Sequence, residues 1–407
     1  MRVLFVGGGT LGSVTPLLAV AEELRRQSVI APPELDTSRE QRGTLECSFW
    51  GTRCGPERSL VESAGMLFHA IPAGKLRRYW DIWNILDLVV VMWALWVAFI
   101  RFMRWRPNVI IGAGSFVQVP VMWAAWVLRI PIAIHQLDVQ PSFANRLVAP
   151  CAQHISAVFP VSVRAFGRKP VEVIGNPVRQ SILAARRIES QTAKRRFGFR
   201  GDRPVLFVIG GGTGAQALND LVWGALPQLL EYADVIHGAG PGKNVLAPPS
   251  PLSQGGEGKQ EHGSPAPVGM RSDLSREAQK AKRESEQGNH YRSFDLLTDD
   301  LPFAYAAADL VVSRAGMGTI TELGCLGKPM ALVPMPGTHQ EDNAAAMVDV
   351  GAAVIWHQRD LTPETFSDRA LALVRDRAIL GSLGHACVAL FPADASVRLA
   401  TAIIRLG

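Results

Sequence analysis

The sequence has few cysteines and pairs none of them. There are five in 407 residues, and no two have the Cys-x-x-Cys spacing typical of metal and redox sites. An odd, scattered set argues against a disulfide framework, so the composition is the one expected in a reducing cytoplasm. The cysteines are Cys47, Cys54, Cys151, Cys325 and Cys387.

No secretory leader is expected, because only four apolar residues, Val3–Val6, follow Met1-Arg2 before a glycine run, and a signal peptide needs a longer apolar core. The length suggests about two to three domains, and hydrophobic residues make up 48% of the chain, enough for sizeable cores. The net charge of +6 is a modest basic excess whose location decides its meaning. We expect no nucleic-acid partner.

One long stretch lacks aromatic residues. No Phe, Trp or Tyr occurs between Val235 and Tyr291, and residues 243–290 are rich in Gly, Pro, Ser, Gln and mixed charge. Such a stretch cannot bury enough apolar surface to offset its ordering entropy. We predict a disordered surface insertion with a fragile helix over Leu274–Glu286, and a smaller insertion at Ala31–Thr44.

The chain contains the same opening twice. The apolar strand Arg2–Val6 leads into the glycine-rich loop Gly7–Ser13 and a helix that starts at Pro16. The strand Val205–Ile209 leads into a second Gly-Gly-Gly-Thr loop over 210–213 and another helix. One glycine-rich loop is weak evidence for a phosphate site, but two copies about 200 residues apart predict two doubly wound α/β domains.

A second pattern runs from Ser313 to Ala344. A loop of small residues precedes a helix predicted over Thr319–Leu326, then an apolar strand over Met330–Val333 and a polar cluster that begins at His339. The helix start is an anion site because of its free N–H groups and dipole. Glu322, one turn into the helix, is placed to meet a ribose diol. The order of these parts predicts a pocket for a nucleotide diphosphate sugar.

Simpler interpretations stay open for single residues. Thr319 and Glu322 also fit a capping box, and a lone His339 is more often a surface or core histidine than a catalyst. Asn176-Pro177 also fits a turn between domains.

These residues resemble the MurG family, the peptidoglycan N-acetylglucosaminyltransferases of glycosyltransferase family 28. The resemblance covers nearly the whole chain outside the two insertions and implies the GT-B fold class: two doubly wound, Rossmann-like parallel-sheet domains that face each other across a cleft. It predicts an acceptor and membrane-association domain over 1–175, a donor domain over 176–385, and a C-terminal helix over 386–407 that returns to the first domain. The matching landmarks are Gly112–Val117, Gly175–Arg179, His339–Ala344 and Pro392–Ala395.

The resemblance implies transfer of N-acetylglucosamine from UDP-N-acetylglucosamine to the C4 hydroxyl of the muramyl sugar of lipid I, with inversion. It implies a peripheral enzyme on the cytoplasmic face of the membrane and partners in cell-wall synthesis. No Asp-x-Asp metal motif ends a strand, so we predict no metal and no cofactor. By motif, the donor residues are Arg179, Gly212, Thr213, Thr298, Met317, Gly318, Thr319, Glu322, Gln340 and Asn343. The acceptor diphosphate meets Thr10, Leu11 and Gly12.

The sequence departs from the family where catalysis is expected. The first loop has Leu11 in place of a glycine and Ser13 in place of the usual histidine. The usual His-Glu-Gln-Asn motif is His-Gln-Leu-Asp over 135–138. The catalytic candidates are therefore Ser13, His135 and Asp138. Asp138 follows the apolar strand predicted over Ile130–Ile134 and is the leading general base, although it also fits a turn cap before Pro141.

Leu88–Ile100 is a run of thirteen residues without a polar side chain. It is short for a membrane-spanning helix, which needs about 20 apolar residues. The other interpretations are a helix buried on the sheet, and a helix packed on the sheet on one side that dips into an anionic membrane surface on the other. The flanks favour the surface, since six basic residues oppose two acidic ones between Lys75 and Arg106. The basic and tryptophan side chains are Lys75, Arg77, Arg78, Arg101, Arg104, Arg106, Trp80, Trp83, Trp93, Trp96 and Trp105.

Three other functions compete with this one. They are a GT-B enzyme that glycosylates another lipid such as diacylglycerol, a catalytically impaired protein that binds a sugar nucleotide, and a dinucleotide-dependent oxidoreductase. Neither glycine loop reads G-x-G-x-x-G with an acidic residue after the next strand, which argues against the oxidoreductase.

Overall fold

The computed structural model describes residues 1–30, 45–55, 57–72, 83–243 and 290–407, without the side chains of 29–30 and 83–88. The predicted insertions, apart from Lys243 and His290 at their ends, and the predicted membrane-contact side chains between 73 and 88 lie outside the described residues. The chain divides into two units, each described separately. Unit 1 comprises Met1–Gln180 and Phe391–Gly407, and unit 2 comprises Ser181–Leu390.

Unit 1 is built on a sheet of seven parallel strands. The strands read as apolar runs because both faces of a parallel sheet are covered. Their order is β3-β2-β1-β4-β5-β6-β7, so the topological switch point lies between β1 and β4. The strands are β1 Arg2–Val6, β2 Glu46–Thr52, β3 Leu67–Ile71, β4 Val109–Gly112, β5 Ile132–Gln136, β6 His154–Ala157 and β7 Glu172–Val173.

Helices connect these strands and cover the sheet, with Leu4, Ile110 and Ile134 among the fully buried core residues. The helices are α1 Thr15–Ile30, α2 Glu57–Ser63, α3 Trp83–Arg104, α4 Gln118–Val127 and α5 Phe143–Val148. Short 3-10 segments are Leu11–Ser13, Ala149–Cys151 and Pro160–Phe166.

Unit 2 repeats the plan with six parallel strands in the order β10-β9-β8-β11-β12-β13. Its switch point lies between β8 and β11. The strands are β8 Val205–Ile209, β9 Asp234–Gly238, β10 Tyr291–Phe294, β11 Leu310–Ser313, β12 Met330–Leu332 and β13 Val354–Ile355. The two β-sheets confirm the prediction of two doubly wound parallel-sheet units.

The remaining helices are α6 Gln180–Leu183, α7 Ser190–Arg196, α8 Gln216–Tyr232, α9 Leu301–Ala307, α10 Met317–Leu326, α11 Gln340–Asp349, α12 Pro363–Arg375, α13 Arg377–Leu390 and α14 Ala395–Leu406, with 3-10 segments Ala184–Arg187 and Gln358–Asp360. The last helix, α14, belongs to unit 1, where it packs against α1. The unit limits differ by a few residues from the sequence-based limits 1–175, 176–385 and 386–407.

Several predicted element bounds change. Strand β5 ends at Gln136 and not at Ile134, because the N–H of Ile130 still closes α4 by donating to Ala125 at 2.9 Å, which delays the strand. Helix α10 begins at Met317, before the predicted Thr319.

Among the described residues, the stretch Arg377–Leu406 is long and apolar enough to cross a membrane by length and composition alone. It is not one continuous helix, because residues 391–394 separate α13 from α14. Phe391, the first of these residues, is 1% exposed. Helix α14 also buries Leu399 and Ile403 in unit 1. This stretch is therefore two separate helices, and the second of them packs within unit 1.

Candidate active site

The loop after β1 carries the predicted acceptor residues. Thr10 and Gly12 are exposed, Leu11 is half-buried and Ser13 is buried. The Ser13 hydroxyl donates to the Thr10 carbonyl oxygen at 3.4 Å, so it supports the loop's own conformation. A serine hydroxyl also offers no group that takes up a proton near neutral pH, and this loop therefore lacks a general base.

Two buried side chains that sequence reasoning missed hold this loop. The fully buried Glu57 accepts hydrogen bonds from the backbone N–H of Thr52 at 2.7 Å and of Gly9 at 3.4 Å. Ser115 Oγ donates to the Gly8 carbonyl oxygen at 2.9 Å and so ties the loop after β1 to the loop after β4. A Cβ at Gly8 would lie 2.3 Å from a Glu57 carboxylate oxygen, so this position requires glycine. No motif marks Glu57, and Ser115 lies in the landmark Gly112–Val117 without a role predicted for its side chain, since only tertiary contact gives both their role.

His135 lies inside β5 and has no exposed surface. Its Nδ1 lies 2.9 Å from the Ser156 Oγ on β6. Burial lowers the pKa of His135 to about 4, against an opposing effect of Asn176, so the imidazole is neutral near pH 7. A general base must reach the proton that it removes. This placement favours a structural role for His135, and its catalytic role stays a prediction.

Asp138 lies just beyond β5, at the carboxyl edge of the sheet, and is half-buried. Its backbone carbonyl oxygen accepts hydrogen bonds from Gln136 Nε2 at 2.8 Å and Ser162 Oγ at 3.3 Å. Strands β1, β4 and β5 are neighbours and parallel. Asp138 and the first glycine loop therefore share the edge at which doubly wound sheets bind ligands.

The loop after β8 exposes Gly212 and Thr213. Close backbone contact fixes its end: a Cβ at Gly214 would lie 2.1 Å from the Ala239 carbonyl oxygen, and a Cβ at Gly240 would lie 2.4 Å from the Gly214 Cα. The loops after β8 and β9 thus meet backbone to backbone, which only glycine permits.

The loop after β11 enters α10, which starts at Met317 with Gly316 as its N-cap and no capping side chain. Met317 is buried, and Gly318 and Thr319 are half-buried in the first turn. The helix start lies at the switch point of unit 2, where its N–H groups and dipole favour an anion.

The capping-box interpretation of Thr319 and Glu322 is wrong, because Thr319 is already inside the helix. Glu322 is half-buried, and its Oε2 accepts a hydrogen bond from the hydroxyl of the fully buried Tyr305 at 2.8 Å. A rigid neighbour therefore orients this carboxylate. The tyrosine was missed because it lies in a different helix, α9.

Residues of α11 support the two loops before it. Gln340 is half-buried, and its Oε1 accepts a hydrogen bond from the Met335 N–H at 3.0 Å. Asn343 is fully buried, and its Nδ2 donates to the Ala315 carbonyl oxygen at 3.2 Å. The predicted sugar contact does not fit the burial of Asn343, which instead positions the loop that leads into α10. His339 is exposed.

Thr298 is exposed in the loop after β10, and Arg179 is half-buried just before α6, in unit 1. The predicted donor role of Arg179 stays a prediction. The loops and helix starts at the carboxyl edge of unit 2 carry Gly212, Thr213, Thr298, Met317, Gly318, Thr319, Glu322 and Gln340.

Across the described ranges, no group of three or more His, Cys, Asp or Glu side chains could hold a metal ion. The expectation of a metal-independent reaction stays a prediction.

Comparison with known proteins gives the family. The model of the glycosyltransferase family 28 N-terminal domain matches residues 3–156, and that of the C-terminal domain matches residues 269–386. A relative from Nocardioides is 33% identical over 414 residues, with 100% of this chain and 98% of its own covered. This chain belongs to glycosyltransferase family 28. A relative from Clostridium kluyveri is 30% identical over 372 residues, 90% of each chain. Both are named UDP-N-acetylglucosamine–N-acetylmuramyl-(pentapeptide) pyrophosphoryl-undecaprenol N-acetylglucosamine transferase.

Solved structures share the fold of this family 28 chain. Acinetobacter baumannii MurG matches with a TM-score of 0.66 at 22% identity, over 99% of both chains. A putative UDP-N-acetylglucosamine 2-epimerase from Listeria monocytogenes matches with a TM-score of 0.62 at 11% identity, over 99% of this chain and 95% of its own. The predicted GT-B fold class is confirmed. The epimerase match shows that this fold alone does not decide the reaction.

The family 28 chain also has a surface outside the candidate site. Helix α3 buries Val91, Ala94, Ala98 and Phe102 against unit 1. Its opposite side, called here the apolar face of α3, exposes large residues at helical spacing, each between 37% and 69% accessible. They are Val89, Met92, Trp93, Trp96, Ile100 and Met103. The interpretation of a purely buried helix is therefore wrong.

Neighbouring residues extend this surface. Trp126 and Val127, at the end of α4, are more than half exposed. Arg104 is exposed, and Arg106, also exposed, donates to the Leu128 carbonyl oxygen at 2.7 Å. Arg101 is the exception, since it donates to the Ala70 carbonyl oxygen at 3.1 Å and lies over the Trp50 ring at 5.4 Å.

Proposed function

We propose that this chain transfers N-acetylglucosamine from UDP-N-acetylglucosamine to the C4 hydroxyl of the muramyl sugar of lipid I, with inversion, in peptidoglycan synthesis. The names of relatives matched over 90% or more of their length support this reaction. The observation that carries it is the presence of a glycine-rich loop at the switch point of each sheet. One such edge suits the UDP-sugar, and the other suits a lipid-linked sugar diphosphate.

Unit 2 binds the donor in this proposal. The first turn of α10 holds the diphosphate and stabilises UDP as it leaves. Glu322, oriented by Tyr305, accepts hydrogen bonds from the ribose diol, and Gln340 contacts the sugar. A charge-assisted hydrogen bond to a fixed carboxylate is stronger than a neutral one, which supports the assignment of the ribose to Glu322.

Unit 1 binds the acceptor, whose diphosphate meets Thr10, Leu11 and Gly12. Asp138 takes the proton of the C4 hydroxyl while that oxygen attacks the anomeric carbon and the bond to UDP breaks. The half-buried position of Asp138 at the carboxyl edge supports this role, whereas Ser13 and the buried His135 are poorer candidates.

The protein acts as a peripheral enzyme on the cytoplasmic face of the membrane. The apolar face of α3, with Arg104 and Arg106 near its end, has the composition of an interfacial helix that dips into anionic lipid. A site that binds a lipid-linked acceptor is expected to lie next to a surface that contacts the membrane.

The deciding experiment incubates the protein with labelled UDP-N-acetylglucosamine and lipid I in anionic vesicles, and separates the lipid products. We expect a labelled disaccharide lipid and none with diacylglycerol as acceptor. Labelled diacylglycerol alone would indicate the other lipid acceptor. Calorimetric binding of UDP-N-acetylglucosamine without transfer to lipid I would indicate a binding protein, the alternative that Ser13 favours.

A further inference from the structure

Three buried amide side chains connect the loop after β4 to the turn after β5. Gln118 on α4 accepts a hydrogen bond from the Gly114 N–H at 3.1 Å through Oε1, and donates through Nε2 to Asn145 Oδ1 at 2.7 Å. Asn145 on α5 donates through Nδ2 to Gln136 Oε1, also at 2.7 Å. We call Gln118, Asn145 and Gln136 the amide relay.

The relay ends on the turn that contains Asp138. Gln136 Nε2 donates to the carbonyl oxygens of Asp138 at 2.8 Å and Gln140 at 3.2 Å. Carbonyl oxygens only accept hydrogen bonds, so the nitrogen of Gln136 must face them and its oxygen must face Asn145. Each amide thus accepts on the side of Gly114 and donates on the side of Asp138, which gives the relay one direction.

Gln136 is 1% exposed, and Gln118 and Asn145 are fully buried. A buried polar group that loses its partner costs the full desolvation of that group. The three side chains therefore hold one another in a single arrangement. Through the hydrogen bonds of Gln136, this arrangement also fixes the turn after β5.

We infer that Gln136 is a positioning residue, which fixes the backbone turn that presents Asp138 by donating to the carbonyl oxygens of Asp138 and Gln140. The inference rests on the proposed function, in which Asp138 is the general base. A glutamate at 136, the usual residue of the family motif, would set a carboxylate against two carbonyl oxygens in this turn, so this backbone arrangement requires a hydrogen-bond donor at 136.

The test compares Gln136→Glu with Gln153→Glu. Gln153 is exposed and directly precedes β6. Its Oε1 accepts a hydrogen bond from the N–H of Ile132, at the start of β5, at 2.7 Å. A carboxylate can accept that bond equally well, so this control adds the same charge without removing a needed donor. Both variants are assayed for transfer from UDP-N-acetylglucosamine to lipid I between pH 6 and 9, with thermal melting as the check of folding.

At pH 8 we expect the kcat of Gln136→Glu to fall about a hundredfold, as misplaced catalytic groups do, with the KM for UDP-N-acetylglucosamine unchanged. The loss of kcat relative to the wild type should become smaller as the pH falls, because a protonated glutamate can donate one of the two lost hydrogen bonds. Gln153→Glu should stay within about twofold of the wild type. Equal kcat values for the two variants at every pH would overturn the inference.

If Gln136→Glu does not fold, Gln118→Met removes the first donor of the relay and should lower kcat about tenfold, a loss comparable to that of one buried hydrogen bond. A wild-type kcat there would overturn the inference. If the wild type transfers nothing to lipid I, the proposed function fails, and hydrogen exchange still tests the relay. Faster exchange at residues 137–140 in Gln136→Glu than in Gln153→Glu supports it, and equal exchange refutes it.

Discussion

The two glycine-rich loops share an opening sequence but are held in different ways. In unit 1, side chains hold the loop: Glu57 binds its backbone N–H and Ser115 its carbonyl oxygen. In unit 2, the loop end packs against backbone, with Gly214 against Gly240, and Lys243 Nζ donates to the Gly214 carbonyl oxygen at 3.1 Å. In the proposed function, unit 1 holds the general base and unit 2 holds the donor. We therefore expect changes at the edge of unit 1 to alter turnover, and changes at the edge of unit 2 to alter donor affinity.

Asp138→Asn tests the edge of unit 1 most severely. Loss of the general base should lower turnover about 10²–10⁴-fold while the calorimetric affinity for UDP-N-acetylglucosamine stays the same. A pH–rate profile of both proteins measures the effect. Full activity in the variant would eliminate Asp138 as the base and return attention to His135.

Gly214→Ala tests the edge of unit 2. The new Cβ would lie 2.1 Å from a carbonyl oxygen, at a φ of +69°, and should destabilise unit 2 by about 3 kcal/mol through overlap and strain. The control is Gly211→Ala, which has a φ of +88° but no atom within 4 Å of its Cβ, and should cost only about 1–2 kcal/mol. Thermal melting and donor affinity are the measurements. Equal losses would show that the backbone contact does not matter.

Glu322→Ala should weaken UDP-N-acetylglucosamine binding by about 1.5–3 kcal/mol, the value of a hydrogen bond to a charged group, and leave the fold intact. Tyr305→Phe removes only the hydroxyl that orients Glu322 and should cost about 1 kcal/mol. Calorimetry with UDP-N-acetylglucosamine measures the loss of affinity in each variant. Unchanged affinity in Glu322→Ala would leave this carboxylate a structural role only.

The apolar face of α3 in unit 1 should show a smaller effect. Arg104→Gln with Arg106→Gln should weaken binding to anionic vesicles by about 1 kcal/mol per residue, measured by sedimentation at low and high salt. The control Arg359→Gln, an exposed arginine of unit 2, should bind as the wild type does. A carbonate wash should release the wild type from membranes, and retention in the pellet would favour a spanning helix.

Each unit also encloses a neutral histidine. Burial lowers the pKa of His135 in unit 1 to about 4 and that of His237 in unit 2 to about 3, whereas an unfolded histidine titrates near 6.5. Below about pH 6.5 the unfolded chain binds more protons than the folded one, so stability decreases as the pH is lowered, by up to about 1.4 kcal/mol per pH unit for each histidine. His237→Gln should flatten the decline of the melting temperature between pH 6.5 and 4, and an unchanged decline would exclude His237 as its cause.

Sequence patterns predicted the frame of the molecule better than its details. Strands such as β1 and β8 are short apolar runs followed by glycine, because strands covered on both faces carry no polar alternation. The positions of the loops at the carboxyl ends of these strands could therefore be predicted from the sequence. The site residues at the edge of unit 2 were predicted from the family resemblance. Their burial then distinguished the half-buried Gln340, which can contact a sugar, from the fully buried Asn343, which positions a loop.

The side-chain supports could not be predicted. A glutamate such as Glu57 or a glutamine such as Gln136 looks like a surface residue in sequence, and only tertiary contact supplies its partners. The exposed side of α3 was equally hidden, since thirteen apolar residues in a row leave no polar residue to mark which face meets solvent. The start of α10 was misplaced because Thr319 imitates a cap.

The place of α14 has a consequence for synthesis on the ribosome. Unit 2 lies in the chain between the two parts of unit 1, and α14 packs on α1. All of unit 2 is therefore translated before unit 1 receives its final helix. The docking side of α1 stays without α14 until all of unit 2 has been made, so unit 2 is the part that can complete its fold first.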